Sequence, residues 1–166
     1  MADFKVGSFQ GGGSSGAQAI TGLGFTPKAI LFFTSGSSAA SGTWAANFHM
    51  GVGFTAGASN SMAAVASSQD AGAVTNSDRG IATTKCIHIT DFNAGIKMEA
   101  SLVSFDGDGF TINWSTASSN IEIMYLAIGG AGVSAKVVSW TEPTTGTNLK
   151  ALTGVGFVPH LVFHAG

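Results

Sequence analysis

The chain has 166 residues, the length of one domain with a hydrophobic core, or of one domain and a short extension. Only 10% of the residues are charged and the formal net charge is −2, so its seven scattered Lys and Arg residues form no basic stripe for binding nucleic acid. The single cysteine excludes an intrachain disulfide, and the longest apolar run, 29–33, is too short to span a bilayer. We expect no nucleic-acid partner, no membrane-embedded segment and, since MADFKVGSF does not resemble a secretory signal, synthesis in a cytoplasm.

Strand-like segments recur at short spacing along the chain, separated by clusters of Gly, Ser, Asn and Asp. In the segment 86–91 the apolar side chains Ile87 and Ile89 alternate with more polar ones, and the segment 96–105 alternates in the same way. Alternation of period two between turn residues predicts an all-β fold, an antiparallel β-sandwich of jelly-roll-like arrangement. The predicted strands are 3–9, 18–21, 29–34, 44–54, 84–91, 96–105, 110–114, 121–129, 136–140 and 161–163.

The clearest local signal is SLVSFDGDGFTINW, 101–114, in which two alternating runs flank Asp-Gly-Asp-Gly at 106–109. Residues that tolerate positive φ predict a tight hairpin turn here. Asp106 and Asp108 could instead begin a calcium loop, but Phe110 opens a strand where further oxygen ligands should follow. The segment 62–69 is the one helix candidate, because it is Ala-rich, and it could equally be a loop.

The beginning of the chain is repeated near its end. FKVGSF at 4–9 matches AKVVSW at 135–140, and AITGLGFTPKAILFF at 19–33 matches ALTGVGFVPHLVF at 151–163. Repeated phrases usually mark repeated structural units. We therefore predict a β-sandwich domain at 1–134 and the start of a second repeat copy at 135–166. The alternative is that 135–166 supplies closing strands of the first domain.

No catalytic, cofactor or metal site is predicted, and the chain is not expected to be an enzyme. The match of 12–16 to G-x-S-x-G lies in a Gly/Ser-rich loop without the strand-turn-helix context of a nucleophile. The four histidines lack the spacing of a zinc site and are expected at the surface or core edge. Two residues remain as candidates for recognition. Arg79, the only arginine, is a candidate for an interface ion pair beside Asp78, and Trp44, which follows a Ser/Gly loop, is a candidate for stacking on a sugar.

Four phrases, taken in order, resemble a family of tailed-bacteriophage virion structural proteins. They are TGLGFTPKAILFF at 21–33, SFDGDGFTINW at 104–114, YLAIGG at 125–130 and TGVGFVPH at 153–160. The resemblance implies a β-sandwich without enzymatic activity and a location on the virion, and it supplies no functional residues. Compared with the two-copy pattern of that family, this chain holds only the beginning of the second copy.

The low charge and positive mean hydropathy favour a surface that other subunits cover in part. A surface of small polar residues is the competing explanation. Together with the resemblance, this leads us to expect a capsid decoration or cement protein on the head exterior. Its expected partners are the major capsid protein or tail proteins and further copies of itself, as a homo-oligomer and specifically a trimer. The alternative is a tail-associated module that binds a host receptor or glycan.

Overall fold

The computed structural model describes residues 1–38, 46–70, 76–92, 95–117, 121–141 and 151–165. Within these residues it contains ten β-strands and no helix, and all strand pairs are antiparallel. The strands are β1 (Asp3–Gln10), β2 (Gly16–Thr21), β3 (Pro27–Ser38), β4 (Phe48–Thr55), β5 (Ser61–Ser68), β6 (Ser77–Ala82), β7 (Ile87–Thr90), β8 (Ile96–Asp106), β9 (Gly109–Thr116) and β10 (Ile121–Gly129). The predicted antiparallel β-sandwich is confirmed.

The strands form two sheets. The larger sheet has the order β1-β10-β3-β4-β5-β6 and the smaller has the order β2-β9-β8-β7. The first strand pairs with the last and the second with the last but one, which is the nested wrapping of the outer strands of a jelly roll. The inner strands differ from that topology, because β3 to β6 and β7 to β9 run as up-and-down meanders.

The core lies between the two sheets and is built from alternate residues of each strand. Phe9, Phe32, Phe110 and Tyr125 meet there in edge-on and tilted ring contacts, with centroids 5.4–6.5 Å apart. Such geometries are favoured by the ring quadrupole. Trp114 is 1% exposed, and its indole Nε1 donates a hydrogen bond of 2.7 Å to the side-chain oxygen of Gln18, which satisfies its polar atom.

The edge strand β7 packs against β4, β5 and β6 of the larger sheet, and all four of its residues are buried. Small residues on the inner face make this approach possible. A Cβ on Gly53 would lie 1.8 Å from the carbonyl oxygen of Cys86, and one on Gly80 would lie 2.9 Å from His88 Nε2. A hydrogen bond of 3.1 Å between the hydroxyls of Ser67 and Thr90 also joins the two sheets here. The glycines of β4 and β6 therefore set the distance between the sheets at this edge.

The predicted hairpin at 106–109 is confirmed, with Asp106 paired to Gly109. Its turn differs from the expectation in one respect, since neither Gly107 nor Asp108 has a positive φ. Hydrogen bonds from the hydroxyls of Ser104 and Thr111 occupy the Asp106 carboxylate and lower its pKa.

The Asp108 carboxylate forms its hydrogen bonds outside its own hairpin, with the connection between β2 and β3. It accepts the backbone N–H groups of Gly22 and Gly24, and the Asp108 carbonyl accepts the N–H of Leu23. Both glycines have positive φ, +88° and +82°, which an L side chain rarely adopts. The TGLGF phrase is therefore a turn that an acidic residue of the β8–β9 hairpin, 84–86 residues further along the chain, holds in place.

Some strand predictions were wrong. The candidate helix 62–69 is the strand β5, and its burial alternates along the chain as a strand requires. Residues 77–82, which fall outside all the predicted strands, form the strand β6, and Asp78 and Arg79 lie within it. The predicted strands 136–140 and 161–163 are not strands in the structure.

The C-terminal residues 151–165 lie outside both sheets, and their apolar side chains are exposed, from Phe157 at 38% to Val158 at 80%. The glycines of the repeated phrase nevertheless adopt the same backbone conformation as their counterparts, with φ of +81° at Gly154 and +84° at Gly156. The prediction that 135–166 begins a second copy, or closes the first domain, stays a prediction.

Candidate interaction surface

The outer face of the larger sheet is almost entirely uncharged. In a strand alternate side chains point to opposite faces, so the burial pattern separates the inner from the outer set. Apart from Glu122 and Arg79, the outer set carries apolar and small polar side chains. We call it the apolar face, and its largest exposed members are Phe4, Val6, Phe33, Phe48, Met50, Ile81 and Met124.

The strand register places these side chains in rows that run across the sheet. One row contains Met124, Phe33, Val52, Ala64 and Ile81, each paired with the next on the neighbouring strand. Large apolar side chains thus occupy adjacent strands and form one continuous patch. Patches of this kind on a folded protein usually mark a contact with another molecule.

The two charged residues of the apolar face lie in a single row. Arg79 pairs in register with Ala66, and Ala66 with Met50 on the central strand β4. Glu122 precedes Ile123 on β10; Ile123 pairs with Thr34 and Thr34 with Gly51, the neighbour of Met50. Glu122 therefore lies at about the level of Met50, beside the register shift between Ile121 and Ile123. Since β5, β4 and β3 lie between them, the two charges are about 19 Å apart, four strand spacings. Within the described residues neither side chain makes an ion pair.

Of the two residues predicted for recognition, Arg79 lies on the apolar face. Its guanidinium does not pair with Asp78, because neighbouring residues of a strand point to opposite faces. Instead the Asp78 Oδ1 accepts the backbone N–H of Arg79 at 2.8 Å. Trp44 lies outside the described residues, so its proposed contact with a sugar stays a prediction.

One end of the apolar face is crossed by the chain that follows β10. Asn60, in the turn between β4 and β5, holds this segment through both atoms of its side-chain amide. Its Nδ2 donates to the carbonyl of Val137 at 2.7 Å, and its Oδ1 accepts the N–H of Val137 at 2.9 Å. Because β3 separates β10 from β4 in the sheet, the residues between 130 and 137 must pass over the end of β3. The other end of the face, with Phe48, Met50 and Ile81, stays exposed.

The outer face of the smaller sheet is different, because it is polar and carries a charge network. Glu99 on β8 lies between Lys85, whose Nζ is 3.6 Å from its Oε2, and His88, whose Nδ1 is 2.8 Å from its Oε1. The ring N–H of His88 is not aligned for a hydrogen bond despite this short distance. Lys85 also donates to the Ser115 hydroxyl at 2.7 Å. Apart from His88 Nδ1, these polar groups are paired within the face, which resembles an ordinary solvated surface.

Two buried groups between the sheets have shifted pKa values. Burial raises the pKa of the Cys86 thiol to about 12, so the thiol stays protonated and inert at neutral pH. Burial, and secondarily the charge of Lys97, lowers the pKa of His49, whose ring lies tilted against that of Phe92 with the ring centroids 4.6 Å apart. The space beside Cys86 has a volume of only about 10 Å³, room for about one water.

Several further features bear on the class of site. In the described part of the chain, no three His, Cys, Asp or Glu side chains are grouped so that they could hold a metal ion. None of the described residues belongs to a helix long and apolar enough to cross a membrane. The most distinctive surface of the described residues is therefore the apolar face, which offers contact area and no reactive group.

Sequence reasoning singled out Arg79 as a candidate, which stays a prediction, but it did not locate the apolar face around it. The signal was present in β4, FHMGVGFT, where Phe48, Met50, Val52 and Phe54 occupy every second position. These residues look like the core-facing set of a strand. In the structure the opposite set, with His49, Gly51 and Gly53, is the buried one, because β7 packs against it.

Comparisons with known proteins add no relative: no protein-family model, no curated protein and no solved structure matches the chain.

Proposed function

We propose that this protein is a non-enzymatic structural protein of a tailed-phage virion, a decoration or cement protein that reinforces the head exterior. The observation that carries the proposal is the apolar face, a wide and nearly uncharged sheet surface on a small β-sandwich. A protein that worked as a free monomer would expose this area to water at a cost in solubility. In an assembly, a neighbouring subunit covers this area.

The ordered phrases that resemble those of phage virion proteins support the particle as the location. Weak contacts repeated over a symmetric lattice can give strong attachment, so a decoration protein needs no single tight site. The exposed edges of the larger sheet, β1 and β6, present unpaired backbone groups that can extend a neighbouring sheet.

The experiment is immunogold electron microscopy of virions of the phage that encodes the chain, with virions lacking the gene as the matched control. We expect label over the heads. We also expect heads without the protein to release DNA at a lower temperature. Label confined to tails, together with reduced adsorption to cells, would replace this proposal by the tail-associated receptor- or glycan-binding module. Absence of label from all particles would refute both.

A further inference from the structure

We propose that the apolar face is an isologous interface at which two copies of this chain pack sheet against sheet, with Arg79 of each copy opposite Glu122 of the other. The inference rests on the proposed assembly role and names the first partner in that assembly.

The free area is enough for a weak contact. The five strands β10, β3, β4, β5 and β6 span about 24 Å. One end of the face is covered, since Leu31 of the outer set is only 4% exposed. The free end is about five residues long, about 17 Å, so one copy offers about 400 Å². Two copies would bury about 800 Å², which is in the range of weak, transient interfaces. Exposed side chains concentrate in this region, with Met50 at 56% and Ile81 at 63%.

The charges fit a two-fold axis that runs along β4. Glu122 lies two strands to one side of β4 and Arg79 lies two strands to the other side, in the same row. Rotation by 180° about an axis parallel to β4 exchanges the two sides and keeps the row. It therefore places Arg79 of one copy over Glu122 of its partner, and the reverse, which forms two ion pairs flanking an apolar centre. The twist of the sheets permits this, since packed sheets align within about 30°.

This symmetry excludes the face as the contact of a trimer. A surface patch that covers itself closes as a two-fold dimer, whereas a three-fold ring joins two different patches. The trimer expected from the composition and the family resemblance would have to use other surfaces, such as the sheet edges.

The test is sedimentation equilibrium of the purified full chain at up to about 100 µM, a concentration at which an interface of this size is populated. We expect a dimer. R79E or E122R places like charges opposite each other twice per dimer, so each should raise the dissociation constant at least about tenfold, and the double variant R79E/E122R should return to within about threefold of the original. K5E, which changes the charge of an exposed residue of β1 that pairs with the inner residue Ala127 and lies outside the five strands of the proposed interface, is the matched control and should have no effect.

M50D provides a second variant, since it places a charge at the centre of the face. It should be monomeric and keep the circular dichroism spectrum of the original chain, because Met50 is not in the core. A monomeric original chain would overturn the inference, as would single variants without effect, or a double variant that does not recover. All measurements use protein without particles, so they are independent of the virion experiment.

Discussion

At the scale of single residues, the polar atoms that matter most for the fold lie far apart in sequence. The Asp108 carboxylate holds the β2–β3 turn through two backbone N–H groups, 84 and 86 residues away. It is exposed, so these bonds act mainly by fixing the turn conformation and joining the two sheets.

Replacing this carboxylate should destabilise the whole domain. We expect D108A to lower the free energy of unfolding by about 1–2 kcal/mol, because two hydrogen bonds to a charged acceptor are lost at an exposed site. D108N keeps one side-chain oxygen and should fall between the two. Urea unfolding followed by tryptophan fluorescence measures the difference, and equal stability of D108A and the original chain would contradict this role.

His49 should make the domain sensitive to acid. Its pKa is lowered in the folded state, mainly by burial, so the unfolded chain binds the proton more readily. The stability that this group contributes is present above its ordinary pKa of about 6.5 and is lost as the pH falls through that value. The slope from one proton is at most about 1.4 kcal/mol per pH unit.

The measurement is urea unfolding between pH 7.5 and 5. H49Q should show a smaller loss of stability over this range than the original chain. Parallel pH profiles of stability for the two proteins would mean that His49 is not the cause of the acid sensitivity.

At the scale of elements, the side of β4 that carries its glycines determines how closely the two sheets pack. Gly51 and Gly53 alternate with Val52 and Phe54, so one face of β4 is nearly flat and the other is bulky. The flat side of β4 packs against β7, and its bulky side belongs to the apolar face. One strand thus serves both the closure of the sandwich and its outer contact.

A methyl group on the flat face should be poorly tolerated. G53A places a Cβ against the carbonyl oxygen of Cys86, and because backbone must move, we expect a loss of about 3 kcal/mol, the upper part of the range for overpacking. G132A is the matched control, since no atom lies within 4 Å of its Cβ position. Thermal unfolding compares them, and a G53A variant as stable as G132A would show that the sheets are not set by this contact.

The sequence predicted the sandwich because period-two alternation is strong in β8 and β10, which bury one face each. It did not predict β5 or β6. In β5, alanines fill both faces and their helical propensity obscures the pattern, while Gly80 and the charged pair before it give β6 the composition of a loop. Both are strands because they pair with β4 and with each other, and such pairing overrides local preference.

The apolar face could not be located from sequence, because outward and inward apolar residues look alike until the register is known. The repeated phrases illustrate the same limit. KVVSW at 136–140 repeats β1, yet it is not a strand. β1 and β3 both pair with β10, and the described residues contain no second strand of that kind. A segment whose sequence favours a strand thus forms one only where a neighbouring strand is available to pair with it.

At the scale of the whole molecule, the residues after 141 should be dispensable for the first domain. A chain ending at residue 141 keeps the Val137–Asn60 contact, and we expect its melting temperature to stay within about 2 °C of the original, because the side chains at 151–165 are not in the core. A chain ending at residue 130 loses that contact and should melt about 3–6 °C lower.

Differential scanning calorimetry of the two truncated chains makes the comparison. A loss of more than about 10 °C on removing residues 142–166 would show that they close the first sandwich. The expected small change would leave them free to begin a second copy.

The nested topology also determines when the domain can form during synthesis. β1 pairs along its whole length with β10, and 110 residues separate Gln10 from Ile121. At about 5–20 residues per second, the ribosome needs roughly 5–20 s to make the intervening chain. During that time β1 is an unpaired strand that carries Phe4 and Val6, while the local meanders β3 to β6 and β8 to β9 can already pair. The larger sheet can be completed only once Gly129 has left the ribosome, so the interval before that point is the one in which a chaperone would protect the chain from aggregation.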